Sequence, residues 1–191
     1  MKISITGHCA GLGQALYKKL KEKHQITGWD ILDGWDINQE STRDTIINDL
    51  DNQDMFINCA HSFRSQTQLL QRAIEKWDGQ NKVIVNISST MSIIDVSLVY
   101  NNMPDDSLYY FIDKQMQNRI HSMRFGLSKP RIQNVLIDWF DSSYARSKGV
   151  TSTSLTPDDV AEQIISAMPQ LNQSAYLGII LIADAGGTNH D

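Results

Sequence analysis

The chain begins, directly after Met1, with Lys2-Ile3-Ser4-Ile5-Thr6-Gly7-His8-Cys9-Ala10-Gly11-Leu12-Gly13. The β-branched run at residues 2–6 predicts a buried strand, and leucines at every fourth position from Leu12 to Leu20 predict a helix through Lys23. The glycines therefore lie where a strand passes directly into a helix. A helix N-terminus presents unpaired N–H groups and a partial positive charge, and glycines let a pyrophosphate approach the backbone. This placement favours nucleotide binding, and a purely architectural turn is the alternative.

The bulk properties restrict the class of protein. With 191 residues and 41% hydrophobic content, the chain is expected to form one domain over residues 1–191. A net charge of −5 argues against a nucleic-acid surface. No apolar stretch reaches the length of a membrane helix, and Met1 leads straight into a strand without a signal peptide. These features predict a cytoplasmic protein with no membrane partner.

The cysteines and histidines suggest no special chemistry. The two cysteines, Cys9 and Cys59, fit a reduced compartment, with a redox pair as a minor alternative. The five histidines show no ligand spacing, so no metal site is predicted.

Strand and helix patterns alternate along the whole chain. Strands are predicted at 25–29, 54–60, 82–89, 131–137 and 178–183, and helices at 66–77, at 107–125, after a capping box of Ser41 and Asp44, and after Thr156-Pro157. The continuous aliphatic runs of these strands are typical of a parallel sheet covered on both faces. The sequence therefore predicts an α/β fold, a Rossmann-like doubly wound parallel sheet in three α/β/α layers.

An acidic residue, Asp30, ends the second predicted strand. A carboxylate there can accept both ribose hydroxyls of an adenosine and repels a 2′-phosphate. No Lys or Arg lies within Gly7–Gly13 or directly after Asp30. NAD is therefore favoured over NADP, although Asp30 could also simply solvate a strand end.

In chain order, these motifs together resemble the short-chain dehydrogenase/reductase family. The resemblance rests on Thr6-Gly7-x-x-x-Gly11-x-Gly13, Asp30, Asn58-Cys59-Ala60, Asn86-Ile87-Ser88-Ser89, Tyr110 with Lys114, and the C-terminal helix and strand that end at Asp184-Ala185-Gly186-Gly187. It implies a cofactor site made of Thr6, Gly7, His8, Gly11, Leu12, Gly13, Asp30, Asp36, Ile37, Asn58, Cys59, Ala60 and Lys114.

The family's chemistry uses a tyrosine, a lysine and a serine. A tyrosine that works near pH 7 needs its pKa lowered from about 10, at a cost of about 4 kcal/mol. The pattern Tyr-x-x-x-Lys occurs three times, as Tyr17/Lys21, Tyr110/Lys114 and Tyr144/Lys148. Only Tyr110/Lys114 lies on the helix after the Ser89 strand, where the resemblance expects it. It implies Tyr110 as acid/base, Lys114 as ribose clamp and pKa modifier, and Ser89, rather than Ser88, as the carbonyl-orienting hydroxyl.

The sequence also departs from the family pattern. No asparagine occurs from His61 to Gln80, His61 replaces a glycine, and Asp138-Trp139-Phe140-Asp141 stands where Pro-Gly is expected. Two hypotheses follow. The first is an NAD(H)-dependent oxidoreductase for a small alcohol or carbonyl substrate, with a pocket formed by residues 90–107 and 138–156. The second is a catalytically silent NAD(H)-binding sensor or interaction module. The resemblance also implies a homodimer or homotetramer that pairs through the Tyr110 helix.

Overall fold

Six parallel strands form one sheet at the centre of the molecule. The computed structural model describes residues 1–95, 105–124, 129–141, 155–169 and 178–183, together with residues 146 and 149. The strands are β1 (Lys2–Thr6), β2 (Gln25–Trp29), β3 (Met55–Asn58), β4 (Val83–Ser89), β5 (Arg131–Ile137) and β6 (Ile179–Ile182), in the order β2-β1-β3-β4-β5-β6. The predicted doubly wound parallel sheet is confirmed.

In the part of the chain that the structure describes, five helices cover the two faces of the sheet. They are α1 (Gly11–Leu20), α2 (Glu40–Asp49), α3 (Ser65–Lys76), α4 (Asp105–Arg124) and α5 (Pro157–Ala167). One apolar cluster joins α1 and α5 to one face, around Ile5, Leu16 and Ile164. A second cluster joins α2 and α3 to the other face, around Phe56, Leu70 and Trp77. Helices therefore cover both faces of the sheet, as a parallel sheet requires.

The connection that follows β2 is too short to contain a crossover helix, as the few residues between Asp30 and Gly34 predict. A short 3₁₀ turn, Ile31–Asp33, replaces a crossover helix, and Gly34 closes it with φ +88°. The chain then crosses to α2, and β3 pairs with β1 on the side opposite β2. The order of the strands reverses at β1, so a crevice forms at the carboxyl ends of β1 and β3, where open α/β sheets bind ligands.

Several local expectations need correction. The capping box of Ser41 and Asp44 is wrong, because α2 begins one residue before Ser41, with Gln39 as an N-cap that makes no side-chain bond. The carboxylate of Asp44 instead accepts a hydrogen bond from Arg72 at 2.6 Å. Helix α1 ends at Leu20 rather than Lys23. Strand β3 ends at Asn58 rather than Ala60.

The predicted start of α5 is confirmed. Thr156 Oγ1 accepts the N–H of Asp159 at 3.2 Å, and Asp159 Oδ2 accepts the N–H of Thr156 at 2.9 Å. Pro157 occupies the first helical position, where a missing N–H costs nothing. Within the described residues, no helix is both long enough and apolar enough to cross a membrane.

Candidate active site

The glycine turn is tightly packed at Gly7 and Gly13, where a side chain would meet backbone atoms. A Cβ on Gly13 would lie 1.9 Å from the carbonyl oxygen of Gly7. Gly7 itself has φ +75°, and a Cβ there would lie 3.0 Å from Cα of Ala60. The turn therefore presses α1 against the end of β1 and against the segment that follows β3. This cradle fits the close backbone approach of a pyrophosphate.

The N-terminus of α1 faces this turn without a competing side chain. Helix α1 starts at Gly11 after an extended N-cap, Ala10, which makes no side-chain capping bond. The first turn contains no acidic residue, and Leu12 points into the core. The orphan N–H groups and the positive end of the helix dipole are thus left for an anion.

Thr6 ties the end of β1 to the end of β3. Its Oγ1 accepts hydrogen bonds from the backbone N–H groups of Cys59 and Ala60, each at 3.0 Å. Burial raises the pKa of the Cys59 thiol to about 12, so this thiol is neutral at pH 7. The Thr6, Cys59 and Ala60 positions predicted for the cofactor therefore form one hydrogen-bonded unit beside the glycine turn.

Asp30 lies at the end of β2, next to the same turn. Its carboxylate is nearly buried and accepts the N–H of Cys9 at 3.0 Å and the N–H of Leu32 at 3.0 Å. A carboxylate can accept about four hydrogen bonds, so this one keeps acceptor capacity for ribose hydroxyls. Asp36 accepts the N–H of Asn38 at 2.9 Å, and Ile37 is buried in the core beside α2.

His8 lies in a slot that the sequence did not reveal. A Cβ on Gly28 would lie 2.6 Å from three atoms of the His8 ring, so the ring fills the space that a side chain on β2 would take. The ring also packs on Tyr17, with centroids 5.0 Å apart, and its Nε2 lies 3.3 Å from Oδ2 of Asp33. A glycine inside a strand often marks such a close approach, and Gly28 was the available signal.

Tyr110 and Lys114 lie together on α4, one helical turn apart. The Lys114 Nζ lies 5.3 Å from the centre of the Tyr110 ring. The lysine side chain is only 2% exposed, and burial lowers its pKa from 10.5 to about 8, opposed by the negative charge of Asp113. The ammonium donates to Oε1 of Gln66 at 2.6 Å and to the carbonyl oxygen of Ile87 at 3.2 Å.

Gln66 is the centre of a buried polar network that the sequence did not predict. Its Nε2 donates to the carbonyl oxygens of Asn58 and Ile87 at 3.0 and 2.8 Å. Its Oε1 accepts from Lys114 and, at 3.2 Å, from Gln117. The network extends through Asn58, Asn86, Asp113 and Asn134 across the sheet. The sequence has no asparagine from His61 to Gln80, and Gln66, whose longer side-chain amide contacts Lys114 directly, was not among the predicted site residues.

His61, which replaces a glycine of the family pattern, packs on the candidate catalytic tyrosine. Its ring meets the Tyr110 ring edge-on, with centroids 4.7 Å apart, and its Nδ1 lies 3.3 Å from Oε1 of Gln66. Burial and the nearby Lys114 charge lower the pKa of His61 to about 4. The imidazole is therefore neutral at pH 7 and adds no charge beside Tyr110.

The two serines at the end of β4 have different surroundings. Ser89 Oγ accepts the N–H of Met91 at 3.2 Å and so caps the following 3₁₀ turn. Ser88 Oγ is buried and has no hydrogen-bond partner among the described residues. Because side chains alternate along a strand, Ser88 shares a face with Asn86, whose side chain contacts Gln117 of α4.

Some sequence predictions fall outside the described residues. Tyr144, Lys148 and the ending at 184–187 lie there, as do parts of the expected substrate segments 90–107 and 138–156. Within the described part, Trp139 is exposed and Phe140 packs against the core on the α1 side.

Comparisons with known proteins relate the chain to others through structure alone. No protein-family model matches the sequence. No curated protein matches it either.

Solved structures of short-chain dehydrogenases/reductases match the fold along nearly its whole length. A 3-alpha-hydroxysteroid dehydrogenase from a Pseudomonas species, complexed with NADH, superposes with a TM-score of 0.69 at 18% identity, covering 97% of this chain and 96% of that one. A short-chain dehydrogenase from Burkholderia cenocepacia, in complex with NADP, gives a TM-score of 0.72 at 14% identity over 95% and 87% of the chains. A serine dehydrogenase complexed with NADP⁺ gives 0.63 at 15% identity over the full length of both. The resemblance to this family is thus confirmed at the level of fold, and the chain has the Rossmann-like fold of the short-chain dehydrogenases/reductases.

Proposed function

We propose that this chain is an NAD(H)-dependent oxidoreductase of the short-chain dehydrogenase/reductase type that acts on a small alcohol or carbonyl compound. The observation that carries the proposal is that the proposed cofactor-binding and catalytic residues lie at the same end of the sheet. The glycine turn, Asp30 and the Tyr110/Lys114 pair all lie toward the carboxyl ends of the parallel strands, where such sheets bind ligands. The solved relatives in fold include NADH and NADP complexes.

The cofactor would be held by the residues that build the crevice. The backbone from Gly7 to Gly13 and the N-terminus of α1 suit the pyrophosphate, and Asp30 suits the ribose hydroxyls. Asn58, Cys59 and Ala60 would line the passage from there toward Tyr110. A bound nicotinamide would supply the acceptor or donor for a hydride.

A preference for NAD over NADP is supported by the charges around Asp30. The loop from Asp30 to Asp36 contains three aspartates and no Lys or Arg. Asp33 is half exposed beside Cys9, close to where a 2′-phosphate would lie next to Asp30. The like charges would disfavour such a phosphate.

The chemistry in this proposal belongs to Tyr110, with help from its neighbours. Tyr110 would exchange a proton with the substrate oxygen, and Lys114 would stabilise the phenolate through its nearby positive charge. Ser89 would donate a hydrogen bond to the same oxygen, with Ser88 as the alternative because its hydroxyl is without a described partner.

The first experiment tests the cofactor. The protein is titrated with NADH and separately with NADPH, following energy transfer from tryptophan to the nicotinamide. Trp29 and Trp35 lie beside Asp30, and their rings are 4.9 Å apart, so they are suitable donors. We expect micromolar binding of NADH that Asp30→Ala weakens and that Asp51→Ala, in the turn before β3 at the amino ends of the strands, does not. Tighter binding of NADPH, or no binding of either, would overturn the proposal.

The second experiment tests turnover with a carbonyl-reduction screen. Tyr110→Phe is expected to abolish activity, whereas Tyr109→Phe, which alters a neighbouring half-exposed phenol, is the matched control. Comparing Ser88→Ala with Ser89→Ala then identifies the hydroxyl that faces the substrate. Equal activity of the Tyr110 and Tyr109 variants would contradict the assigned role.

A specific observation favours the silent NAD(H)-binding module as a second candidate. Two of the three Lys114 protons already have acceptors, and the side chain is almost fully enclosed. If Asp30 is needed for NADH binding but the substrate screen detects no turnover by the wild type or by Tyr110→Phe, the silent NAD(H)-binding module replaces the oxidoreductase as the proposed function.

The resemblance also supports a homodimer or homotetramer that pairs through α4, the helix that carries Tyr110. The exposed side of α4 carries four large apolar side chains, namely Tyr109, Ile112, Met116 and Met123. Phe63, just before α3, adds to this surface, because its ring lies 5.0 Å from that of Tyr109. A second copy of this chain is the proposed occupant, because the resemblance implies pairing through this helix.

A further inference from the structure

Three side chains of metal-binding type converge beside Asp30. Nε2 of His8 lies 3.3 Å from Oδ2 of Asp33, and Sγ of Cys9 lies 3.7 Å from that nitrogen. The same Sγ lies 3.4 Å from the same Oδ2. One nitrogen, one sulfur and one oxygen atom thus form a small, nearly equilateral triangle.

The size of this triangle matches one face of a tetrahedral zinc site. With Zn–S near 2.3 Å, Zn–N near 2.05 Å and Zn–O near 2.1 Å, tetrahedral angles separate N from O by about 3.4 Å and the sulfur from each by about 3.6 Å. The observed distances differ from these by about 0.2 Å or less. The separations of the three atoms of His8, Cys9 and Asp33 therefore match one face of a tetrahedral zinc site.

The three ligands are held by the surrounding fold rather than by chance contacts at the surface. The slot over Gly28 and the Tyr17 ring fix the His8 imidazole, whose side chain is only 13% exposed. The Asp30 carboxylate holds the backbone at Cys9 and in the turn that carries Asp33. It binds the Cys9 N–H and caps the 3₁₀ turn that ends at Asp33.

We propose that His8, Cys9 and Asp33 bind a Zn²⁺ ion in a three-ligand site with an open fourth position for water. A nitrogen, a thiolate and a carboxylate are the ligand types that zinc prefers, and sites with three protein ligands keep one position free. Asp33, with 53% of its side chain exposed, leaves that side open to solvent. On binding, a Zn–S bond forms, the S–H bond breaks, and the proton passes to the buffer.

The test uses the full chain without an affinity tag or nucleotide, so it is independent of cofactor binding. Zn²⁺ is titrated against a chromophoric chelator, and Co²⁺ is used as a spectroscopic substitute that reports thiolate ligation by a charge-transfer band. We expect one ion per chain, release of one proton, and a Co²⁺–thiolate band. Cys9→Ser, His8→Gln and Asp33→Asn should each weaken Zn²⁺ binding by at least about 10-fold. Cys59→Ser and Asp51→Asn are the controls and should bind as the wild type does.

Each other outcome would overturn the site. Failure of the wild type to compete with the chelator means that the three groups form a hydrogen-bonded cluster only. Binding that survives in the Cys9 and His8 variants places the ion elsewhere, and a Co²⁺ complex without a thiolate band excludes Cys9 as a ligand. Circular dichroism of each variant separates loss of a ligand from loss of the fold.

Discussion

Replacing Lys114 by methionine is expected to make the protein more stable at pH 7. Burial lowers the pKa of this lysine from 10.5 to about 8, so at pH 7 the folded protein encloses an ammonium ion at an energetic disadvantage. A lowering of that size corresponds to about 3 kcal/mol of lost unfolding free energy at pH 7. Methionine has a similar length and no charge, so it removes this cost.

The contacts of Lys114 indicate how much of that gain survives. Gln66 Oε1 keeps Gln117 as a donor at 3.2 Å, and the Ile87 carbonyl keeps Gln66 Nε2 at 2.8 Å. Neither acceptor is therefore left unpaired. Asp113 loses a nearby positive charge but keeps its hydrogen bond from Thr67 at 2.6 Å. We expect a net gain of about 1–2 kcal/mol, or roughly 4 °C in Tm.

The pH dependence gives the sharper test. From pH 8 to pH 10.5 the unfolded chain keeps the Lys114 proton while the folded protein loses it. At this group the unfolded state then binds more protons, so the destabilising contribution of Lys114 to the unfolding free energy shrinks as the pH rises through this window. The advantage of Lys114→Met should be full below pH 8 and shrink above it.

The assay is urea denaturation at intervals from pH 7 to pH 10. Lys23→Met, at an exposed lysine, controls for the loss of a surface charge. A Lys114→Met variant that is less stable than the wild type at pH 7, or whose difference from it does not change with pH, would refute the reasoning.

Three further outcomes are expected. Gly13→Ala should lower the unfolding free energy by about 1–3 kcal/mol and weaken NADH binding, because its Cβ would meet the Gly7 carbonyl oxygen at 1.9 Å; urea denaturation and nucleotide titration measure both effects. Thr156→Ala should cost about 1 kcal/mol in urea denaturation through the lost N-cap and leave NADH affinity unchanged. Met116→Glu should convert a dimer to monomers, as measured by light scattering. Ile31→Glu, on an exposed turn, is the control and should leave the dimer intact. A monomeric wild type would contradict pairing through α4.

The parts of the fold that the sequence predicted are those governed by short-range patterns. Aliphatic runs gave the strands to within two residues, and the Thr156-Pro157 start was recognisable because both capping partners lie within one turn. The predicted capping box at Ser41 was wrong because the identity of an N-cap residue is not decided by a local pattern alone. A serine followed by an acid satisfies the pattern, but only the path of the chain into α2 decides which residue is the N-cap.

The interior of the candidate site could not be predicted in the same way. The cluster of His8, Cys9 and Asp33 joins the glycine turn to the 3₁₀ turn after β2, and its only trace in the sequence is the absence of a side chain at Gly28. The contact of Gln66 with Lys114 joins α3 to α4 across β4. Such contacts depend on how helices lie on the sheet, which no local pattern records.

The surroundings of Lys114 determine what the site can do. An ammonium carries three protons, and Gln66 and the Ile87 carbonyl accept two of them, which leaves one for a ribose hydroxyl or for a water near Tyr110. His61 is neutral at pH 7 because its pKa is about 4, so Lys114 supplies the positive charge next to the Tyr110 ring. Lys114 lowers the stability of the protein and yet is buried in it. Buried charges that lower stability are typical of functional sites, where they are retained for activity. A stabilised Lys114→Met variant that also lost carbonyl reduction would therefore tie both properties to the same charge.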